Sequence, residues 1–141
     1  MQDFVPYLQF AGNAKEAMHF YKSVLGGEFT GYARYAEIPG GEKLSEAEQE
    51  KFIHIALTIG NGHRIMASDA VEGMTAGMVF GNNLHICVFA DSEAEADQFF
   101  EGLSDDGKVM MPMNKTFWGN YYGMCEDKFG INWMITHEPK K

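Results

Sequence analysis

Hydrophobic and polar positions along the chain form a pattern that occurs twice. Residues 10–21 pass from an aromatic strand end through a small polar turn into a helix with an acidic first turn and an aromatic pair, and residues 89–100 repeat this order. Apolar side chains recur at three- and four-residue intervals in both copies, which is the spacing of one buried helix face. The pattern therefore predicts one structural unit that is used twice in the chain.

The residues at the start of each predicted helix favour a capped N-terminus. Asn13 and Ser92 can accept hydrogen bonds from the free first-turn amides, and Glu16 and Glu95 follow three positions later, as in a capping box. Gly26-Gly27 is predicted to end the first helix, because glycine adopts the left-handed conformation without steric cost.

Strand patterns flank both helices. Phe52–Ile59 alternates apolar and other side chains, and a Gly-Asn-Gly turn joins it to His63–Asp69 as an antiparallel hairpin. Each copy reads β-α-β-β-β, so its single helix can cover only one face of four strands. The other predicted strands are Pro6–Phe10, Glu28–Glu37 with a bulge at Gly31, Leu84–Ala90, Lys108–Met113, Phe117–Glu126 and Ile131–Thr136.

Fold class and domain organisation follow from this order of elements. The prediction is an α+β fold made of two βαβββ modules within a single domain, 1–141, a length that suits one hydrophobic core. The first module spans 1–70 and the second spans 83–137, and the Gly-, Met- and Asn-rich stretch 71–82 is a linker. Residues 42–51 form a charged loop or a single helical turn.

Composition and charge narrow the range of partners and locations. The net charge of −9 and the pI near 4.9 argue against nucleic acid and anionic membranes, because both would be repelled by the mean field of the protein. Cys87 and Cys125 fall in strand-like runs, and the N-terminus carries no apolar signal segment. We therefore expect reduced thiols in a cytoplasmic protein, and no membrane span, since no apolar run reaches the necessary length.

Short motifs in a fixed order connect the chain to a known family. They are Pro6-Tyr7-Leu8, Phe10, Gly12-Asn13, Phe20-Tyr21, Gly26-Gly27, Met66, Ser68-Asp69, Phe117-Trp118, Asp127-Lys128-Phe129-Gly130 and Trp133-Met134. With them the chain resembles the vicinal-oxygen-chelate superfamily, which includes glyoxalase I, bleomycin-resistance proteins and extradiol dioxygenases, and within it the PhnB-like family. The resemblance implies two four-stranded sheets that form a cupped mixed sheet, with helices outside and a small-molecule ligand inside. It also implies a homodimer.

The same resemblance raises the question of a catalytic metal. In metal-dependent members, four cup-facing side chains hold a divalent ion, typically His or Gln from the first strands and Glu from the fourth strands. The corresponding positions here are Pro6, His85, Met66 and Met134, of which only His85 suits a hard or borderline ion. The expectation is no catalytic metal and no cofactor. A Cu(I) site of Met66, Met134 and His85 is an alternative, although methionine at inward strand positions more often packs.

Strand alternation within the implied cup predicts which side chains line its interior. Most of these side chains are apolar, aromatic or sulfur-containing, and a few carry polar groups, which is the usual composition of a small-molecule pocket. The alternative is a closed core that the same large side chains fill. The predicted lining is Pro6, Leu8, Phe10, His54, Met66, Ser68, His85, Cys87, Phe89 and Met134, with Trp118 and Tyr122 near the mouth.

Several side chains are candidates for chemistry or for structural roles. His54 and His85 could act as general acid or base, because neutral imidazole titrates near physiological pH, but an inward histidine that is hydrogen-bonded in a core is more common. Cys87 could act as a nucleophile if a neighbouring histidine lowered its pKa, whereas a small buried thiol is the simpler role. Asp127-Lys128-Phe129-Gly130 is predicted to form the turn before the last strand, and Asp69 to accept turn amides at the end of its hairpin.

Two functions stay open from the sequence. The first is a binder of a small, partly apolar or aromatic compound that works without a metal, as in the bleomycin-resistance branch. The second is an enzyme of lyase, isomerase or dioxygenase type, with His85 or His54 moving a proton and a divalent metal bound unconventionally.

Some PhnB-like sequences carry a demethylubiquinone methyltransferase label. It has no support here, because the glycine-rich places are hairpins and a linker rather than a loop after a first parallel strand.

Overall fold

The computed structural model has four strands and a long helix in each of two units, and it describes residues 1–71, 75 and 77–139. Unit 1 is Met1–Met78 and unit 2 is Val79–Lys141. The predicted α+β class with two βαβββ modules is confirmed. Of the predicted linker 71–82, residues 72–74 and 76 lie outside the described residues.

Unit 1 consists of β1 Tyr7–Phe10, α1 Ala14–Leu25, β2 Glu28–Arg34, α2 Glu46–Gln49, β3 Phe52–Ile59 and β4 His63–Asp69. The sheet order is β1-β4-β3-β2, with β1 parallel to β4 and the other neighbours antiparallel. The predicted bulge in β2 is present as a register shift between Phe29 and Gly31. The charged connector contains the single turn α2, which was one of the two predicted alternatives, and the Ser45 hydroxyl oxygen accepts a hydrogen bond from the Glu48 amide at 3.2 Å.

Unit 2 consists of β5 Ile86–Phe89, α3 Glu93–Ser104, β6 Lys108–Lys115, β7 Tyr121–Glu126 and β8 Asn132–His137. The sheet order is β5-β8-β7-β6, and β5 is parallel to β8. β7 begins later than predicted because the Gly119 amide donates to the Thr116 carbonyl oxygen at 3.0 Å, which makes a turn of the preceding residues. Among the residues that the structure describes, no helix combines the length and the hydropathy of a membrane span.

The core of unit 1 lies between α1 and one face of the sheet. The helix packs on β3 and β4 through Met18 and Tyr21, and the sheet contributes Phe10 and Leu57; all four are fully buried. Burial of each large apolar side chain stabilises a fold by about 1.5–3 kcal/mol. The apolar stripe of the helix is therefore what fixes it against the sheet.

The chain passes from α1 into β2 through two glycines, as predicted. The Gly26 amide donates to the Lys22 carbonyl oxygen at 2.9 Å and ends the helix. Gly27 has a φ of 93°, and a Cβ atom there would lie 2.3 Å from the Thr58 carbonyl oxygen. Only glycine satisfies both conditions, so this residue lets the start of β2 approach β3 closely.

The N-terminus of α1 is capped by a residue distant in sequence, which corrects the prediction for Asn13. The Asn13 side chain makes no capping hydrogen bond within the described part of the chain. Instead the Asp69 carboxylate accepts hydrogen bonds from the Ala14 amide at 2.8 Å and from the Phe52 amide at 3.0 Å. Asp69 is 1 % exposed. The hydrogen bonds from these two amides compensate for the burial of the carboxylate, and its negative charge is favourable at the helix N-terminus. The prediction that Asp69 accepts amides of its hairpin turn is therefore corrected: its donors are the amides of Ala14 and Phe52.

The second long helix, α3, is capped by Ser92 as predicted. The Ser92 hydroxyl oxygen accepts from the Glu95 amide at 3.0 Å, and the Glu95 carboxylate accepts from the Asp91 amide at 3.0 Å. Two backbone donors at the helix start are thereby satisfied by local side chains. α3 packs on β7 and β8, with the Phe100 ring close to Gly123, where a Cβ atom would lie 3.1 Å from it.

Candidate functional site

Each sheet has one face packed on its long helix, and we call the opposite face the open face of that sheet. Cross-strand partners point to the same side of a sheet, and successive residues point to opposite sides. In unit 1, Tyr7 on β1 pairs with Met66 on β4, and Met66 pairs with Ala56 on β3. These three residues form a row on the open face.

Leu8 and Phe10 lie on the face that α1 covers. Leu8 pairs with Ala67 and is 8 % exposed, and Phe10 pairs with Asp69 and is fully buried. They belong to the core of unit 1. In contrast to the predicted lining, they therefore do not share a face with Met66.

A difference of one residue between the two copies explains this inversion. In unit 2, Cys87 pairs with Met134, as Tyr7 pairs with Met66 in unit 1. Tyr7 precedes the first residue of α1 by seven positions, whereas Cys87 precedes the first residue of α3 by six. A shift of one residue along a strand exchanges its two faces. Positions that match in sequence therefore differ in direction.

A tyrosine and a histidine meet on the open face of unit 1. The Tyr7 hydroxyl oxygen and the Nδ1 atom of His54 are 3.2 Å apart, and the ring centroids are 6.0 Å apart. His54 is half-buried, and Tyr7 is 47 % exposed. Because Nδ1 donates in one tautomer and accepts in the other, the hydroxyl can orient the ring in either state. The pair has the chemistry to hold a polar ligand or to move a proton.

Two other polar pairs lie near the β3–β4 turn. Arg64 forms an ion pair with Asp3. The hydrogen bond from Arg64 and a second one from the Phe4 amide lower the pKa of Asp3 below its ordinary value. The hydroxyl oxygens of Thr30 and Thr58 lie 2.8 Å apart. Tyr7 and His54 differ from these two pairs in that they join a phenol hydroxyl to an imidazole.

The open face of unit 2 is apolar, aromatic and rich in sulfur. Two neighbouring cross-strand rows lie on it, and we call them the sulfur row and the threonine row. The sulfur row is Cys87, Met134 and Met124, and the threonine row is Phe89, Thr136 and Tyr122. Sequence reasoning placed Met124 and Thr136 in no predicted lining. Alternation was the signal that could have found them, because each lies two residues from a predicted lining residue of the same strand, Tyr122 on β7 and Met134 on β8.

Thr136 carries a buried hydroxyl that has no hydrogen-bond partner among the described residues. The residue is 4 % exposed. A buried hydroxyl without a partner costs about 1–3 kcal/mol, and an exception of this kind in a native structure calls for a partner such as a water or an ion. Its cross-strand neighbours Phe89 and Tyr122 are both aromatic, and Phe89 is 63 % exposed. The threonine row therefore combines apolar surface with one free hydrogen-bonding group.

Two groups on this face have raised pKa values. Although Cys87 is exposed, desolvation raises the pKa of its thiol, and the Glu138 carboxylate raises that pKa further. Burial also raises the pKa of Tyr122, with a smaller contribution from the neighbouring Cys87. A thiol that stays protonated is a weak nucleophile. This environment disfavours the nucleophilic role considered for Cys87.

Three other predicted residues lie outside these rows. Pro6 precedes β1, and its carbonyl oxygen accepts a hydrogen bond from the Met66 amide at 3.0 Å. His85 directly precedes β5 and is half-buried. Trp118 is 59 % exposed in the turn before β7, where its ring meets Phe117 edge-on at a centroid distance of 4.8 Å. Their roles in ligand binding stay predictions.

The paired first- and fourth-strand positions do not fit a divalent catalytic ion. In unit 1 these positions hold Tyr7 and Met66, and in unit 2 they hold Cys87 and Met134. Thioethers are soft ligands, whereas catalytic Zn sites use imidazole, carboxylate or thiolate groups, and Cys87 is the one side chain of that kind at these four positions. Across residues 1–71, 75 and 77–139, no three His, Cys, Asp or Glu side chains lie together in a metal-binding arrangement. We derive no chemical step through such an ion.

Comparison with known proteins defines the class. The family model described as the Glyoxalase/Bleomycin resistance protein/Dioxygenase superfamily matches residues 4–135. This match covers nearly the whole chain and agrees with the two βαβββ units. The chain belongs to the glyoxalase, bleomycin-resistance and dioxygenase superfamily.

Within this superfamily the chain is similar to PhnB-like proteins, as predicted. It is 31 % identical to protein YjdN from Escherichia coli (strain K12) over 137 residues, which cover 92 % of this chain and 91 % of YjdN. It is 32 % identical to protein PA1353 from Pseudomonas aeruginosa, with a TM-score of 0.82 over 99 % of this chain and 100 % of that chain. The PhnB protein from Bacillus cereus is 29 % identical, with a TM-score of 0.79 over 97 % and 100 % of the two chains.

Proposed function

We propose that the protein binds a small, partly apolar or aromatic molecule on the open face of unit 2, without a catalytic metal. The observation that carries the proposal is the unpaired buried hydroxyl of Thr136 between Phe89 and Tyr122. A ligand that hydrogen-bonds this hydroxyl removes its desolvation cost. The apolar part of the same ligand covers exposed aromatic surface, which contributes about 25 cal/mol for each Å² removed from water.

The charge around this face indicates which ligands it favours. The chain carries a net charge of −9, and the Glu138 carboxylate acts on Cys87 in the neighbouring sulfur row. Both fields repel an anion and leave a neutral compound unaffected. The charge therefore argues against an anionic ligand, and the aromatic surface of the threonine row favours a neutral aromatic molecule with one hydrogen-bonding group.

A methyltransferase activity is not part of this proposal. The PhnB protein from Bacillus cereus is provisionally named a 3-demethylubiquinone-9 3-methyltransferase. In the present chain, the glycines Gly26 and Gly27 end a helix, and Gly60 and Gly62 lie in the hairpin turn between β3 and β4. Gly12 does lie in the loop between the parallel strand β1 and the helix α1. A single glycine there does not make the glycine-rich loop that a nucleotide-binding site of that kind requires.

A second candidate function is proton transfer by His54. The contact of 3.2 Å between the Tyr7 hydroxyl and the Nδ1 atom favours it, because a second group that orients the imidazole is a common feature of acid–base catalysts. Nε2 would then be the atom that gives or takes the proton. His85 stays a weaker candidate, since its ring has no comparable hydrogen-bond partner among the residues that the structure describes.

The substitution Thr136→Val tests the first candidate, because valine keeps the shape of threonine and removes the hydroxyl. The probes are phenol and benzamide, which can hydrogen-bond to Thr136, and toluene, which cannot. Amide NMR shifts of the full-length protein report both affinity and location. We expect phenol and benzamide to bind unit 2 and to lose about three- to tenfold in affinity in the variant, whereas toluene is unaffected.

The matched control is Thr58→Val, which removes a hydroxyl that already pairs with Thr30 in unit 1. It should leave all three affinities unchanged. Equal affinity of phenol for the wild type and Thr136→Val, or shifts confined to unit 1, would contradict the proposal. Turnover of a superfamily substrate that is lost in His54→Ala and kept in Thr136→Val would favour the second candidate instead.

A further inference from the structure

We infer that the sulfur row of unit 2 is a binding site for a soft monovalent metal ion, Cu(I), held by the Cys87 thiolate and the thioethers of Met134 and Met124. This site is separate from the threonine row and does not depend on the proposed small-molecule function. It also differs from the sequence alternative of Met66, Met134 and His85, because all three donors come from one sheet.

The strand pairing brings the three sulfur side chains together. Met134 on β8 is the cross-strand partner of both Cys87 on β5 and Met124 on β7. Neighbouring strands lie about 4.7–4.9 Å apart, so Met134 is one strand spacing from each of the other two residues, and Cys87 and Met124 are two spacings apart. The methionine side chains are long and flexible, so their sulfur atoms can move toward the shorter cysteine. Three sulfur donors can thus converge above the central strand.

The surface around this row is accessible to an ion. Cys87 is exposed, and both methionines are half-buried rather than enclosed in the core. Met111 on β6 is the cross-strand partner of Met124 and is 41 % exposed, beside a register shift. Sulfur side chains therefore continue to the edge of the sheet. A row that served only to fill a core would be buried, as Cys125 is on the opposite face.

The donor set selects the metal. Thiolate and thioether groups are soft ligands that favour Cu(I) over Mg, Ca or Mn. On binding, the Cys87 thiol gives its proton to solvent and forms one Cu–S bond, the two thioethers coordinate as neutral ligands, and the ion keeps its oxidation state. The Glu138 carboxylate that acts on this thiol adds a negative charge near the site, which favours a cation.

The test is a titration of the full-length protein with Cu(I) under anaerobic conditions, in competition with a chromophoric Cu(I) chelator. The variants are Met134→Leu and Met124→Leu, which keep side-chain volume and remove the thioether, and Cys87→Ser. We expect one ion per chain, a loss of about tenfold or more in affinity for each leucine variant, and loss of binding for Cys87→Ser.

The matched controls are Met110→Leu, at an exposed methionine of β6, and Cys125→Ala, at the buried cysteine. Both should keep the wild-type affinity. Binding that survives in Cys87→Ser, or falls equally in Met110→Leu, would overturn the inference, as would the absence of stoichiometric binding by the wild type. If a leucine variant fails to fold, methionine methyl NMR of the wild type with Ag(I) as a redox-inert probe decides the question. Shifts at Met124 and Met134 support the site, and shifts elsewhere contradict it.

Discussion

Asp127 and Trp133 are joined inside unit 2 by a hydrogen bond of 2.8 Å from the indole Nε1 to the carboxylate. The other carboxylate oxygen accepts from the Phe129 amide at 2.8 Å and from the Ile131 amide at 3.1 Å. The Gly130 amide closes the turn on the Asp127 carbonyl oxygen at 3.0 Å, as the sequence predicts. One side chain therefore fixes both the last turn and the direction of β8.

Replacing Asp127 should destabilise unit 2 strongly. Asp127→Ala removes the acceptor of one buried and two half-buried donors and should lower the free energy of unfolding by about 3 kcal/mol. Asp127→Asn keeps one acceptor oxygen and should cost about 1–2 kcal/mol. Both tryptophans lie in unit 2, so tryptophan fluorescence during urea unfolding reports this unit. The exposed Asp105→Ala serves as the control and should change stability by less than about 0.5 kcal/mol.

The two helix starts should respond differently to mutation. Asn13→Ala should change the free energy of unfolding by less than about 0.5 kcal/mol, because the Asn13 side chain makes no capping hydrogen bond within the described part of the chain. Asp69→Ala should cost about 2–4 kcal/mol, because two buried amides lose their acceptor. Ser92→Ala should cost about 1 kcal/mol. Hydrogen exchange of the α1 and α3 amides measures each effect locally. A larger loss for Asn13→Ala than for Asp69→Ala would contradict the assigned cap.

Removal of the unpaired hydroxyl should stabilise the ligand-free protein. Thr136→Val deletes a buried polar group that has no partner among the described residues and should raise the free energy of unfolding by about 1 kcal/mol. Thr58→Val breaks a hydrogen bond to Thr30 near the surface and should lower it slightly. Urea unfolding without ligand compares the two. Loss of stability in Thr136→Val would show that the hydroxyl already has a partner such as bound water.

Stability at high pH should depend on Tyr121. Its hydroxyl donates a hydrogen bond to the Asp97 carboxylate at 2.5 Å, and this bond, with burial, raises the pKa of Tyr121 to about 12 from an ordinary value of 10.0. The folded state holds this proton more tightly, so the contribution is complete below pH 10.0 and is lost as the pH rises toward 12.

Tyr121→Phe should therefore lower the free energy of unfolding near neutral pH by about 1 kcal/mol, since the bond is partly exposed. It should also flatten the fall in stability at alkaline pH. Urea unfolding at a series of pH values measures both effects, with the exposed Tyr32→Phe as control. An equally steep alkaline fall in both variants would contradict the assignment. In Tyr121→Phe the free energy of unfolding should still fall somewhat at alkaline pH, because the pKa values of Tyr122 and Cys125 are raised as well.

Local patterns in the sequence predict most of the fold. The alternation in Phe52–Ile59 and the stripe around Met18 and Tyr21 depend only on neighbouring residues, and the structure has a strand and a helix at these places. The Ser92 cap and the turn at Asp127 are also local, and both form as predicted. Repetition of the unit then gives the order of strands in each sheet.

Features that depend on distant residues could not be read in this way. Asn13 has the sequence signature of a cap, yet Asp69, which follows it by more than fifty positions, takes that role. The Tyr7 contact with His54 and the position of Thr136 beside Tyr122 depend on strand register, which alternation alone does not fix. The candidate site was therefore predicted less completely than the fold.

The connection between first strand and helix has a consequence for the repeat itself. Because α1 starts seven positions after Tyr7 and α3 starts six after Cys87, the halves no longer superimpose without a gap at this point. A hybrid protein with the shorter connection in both halves would have to turn Leu8 and Phe10 away from α1, to the open face of unit 1. The first strand of one module therefore cannot replace the first strand of the other, and a substitution in one module cannot be transferred to the other by sequence alignment alone.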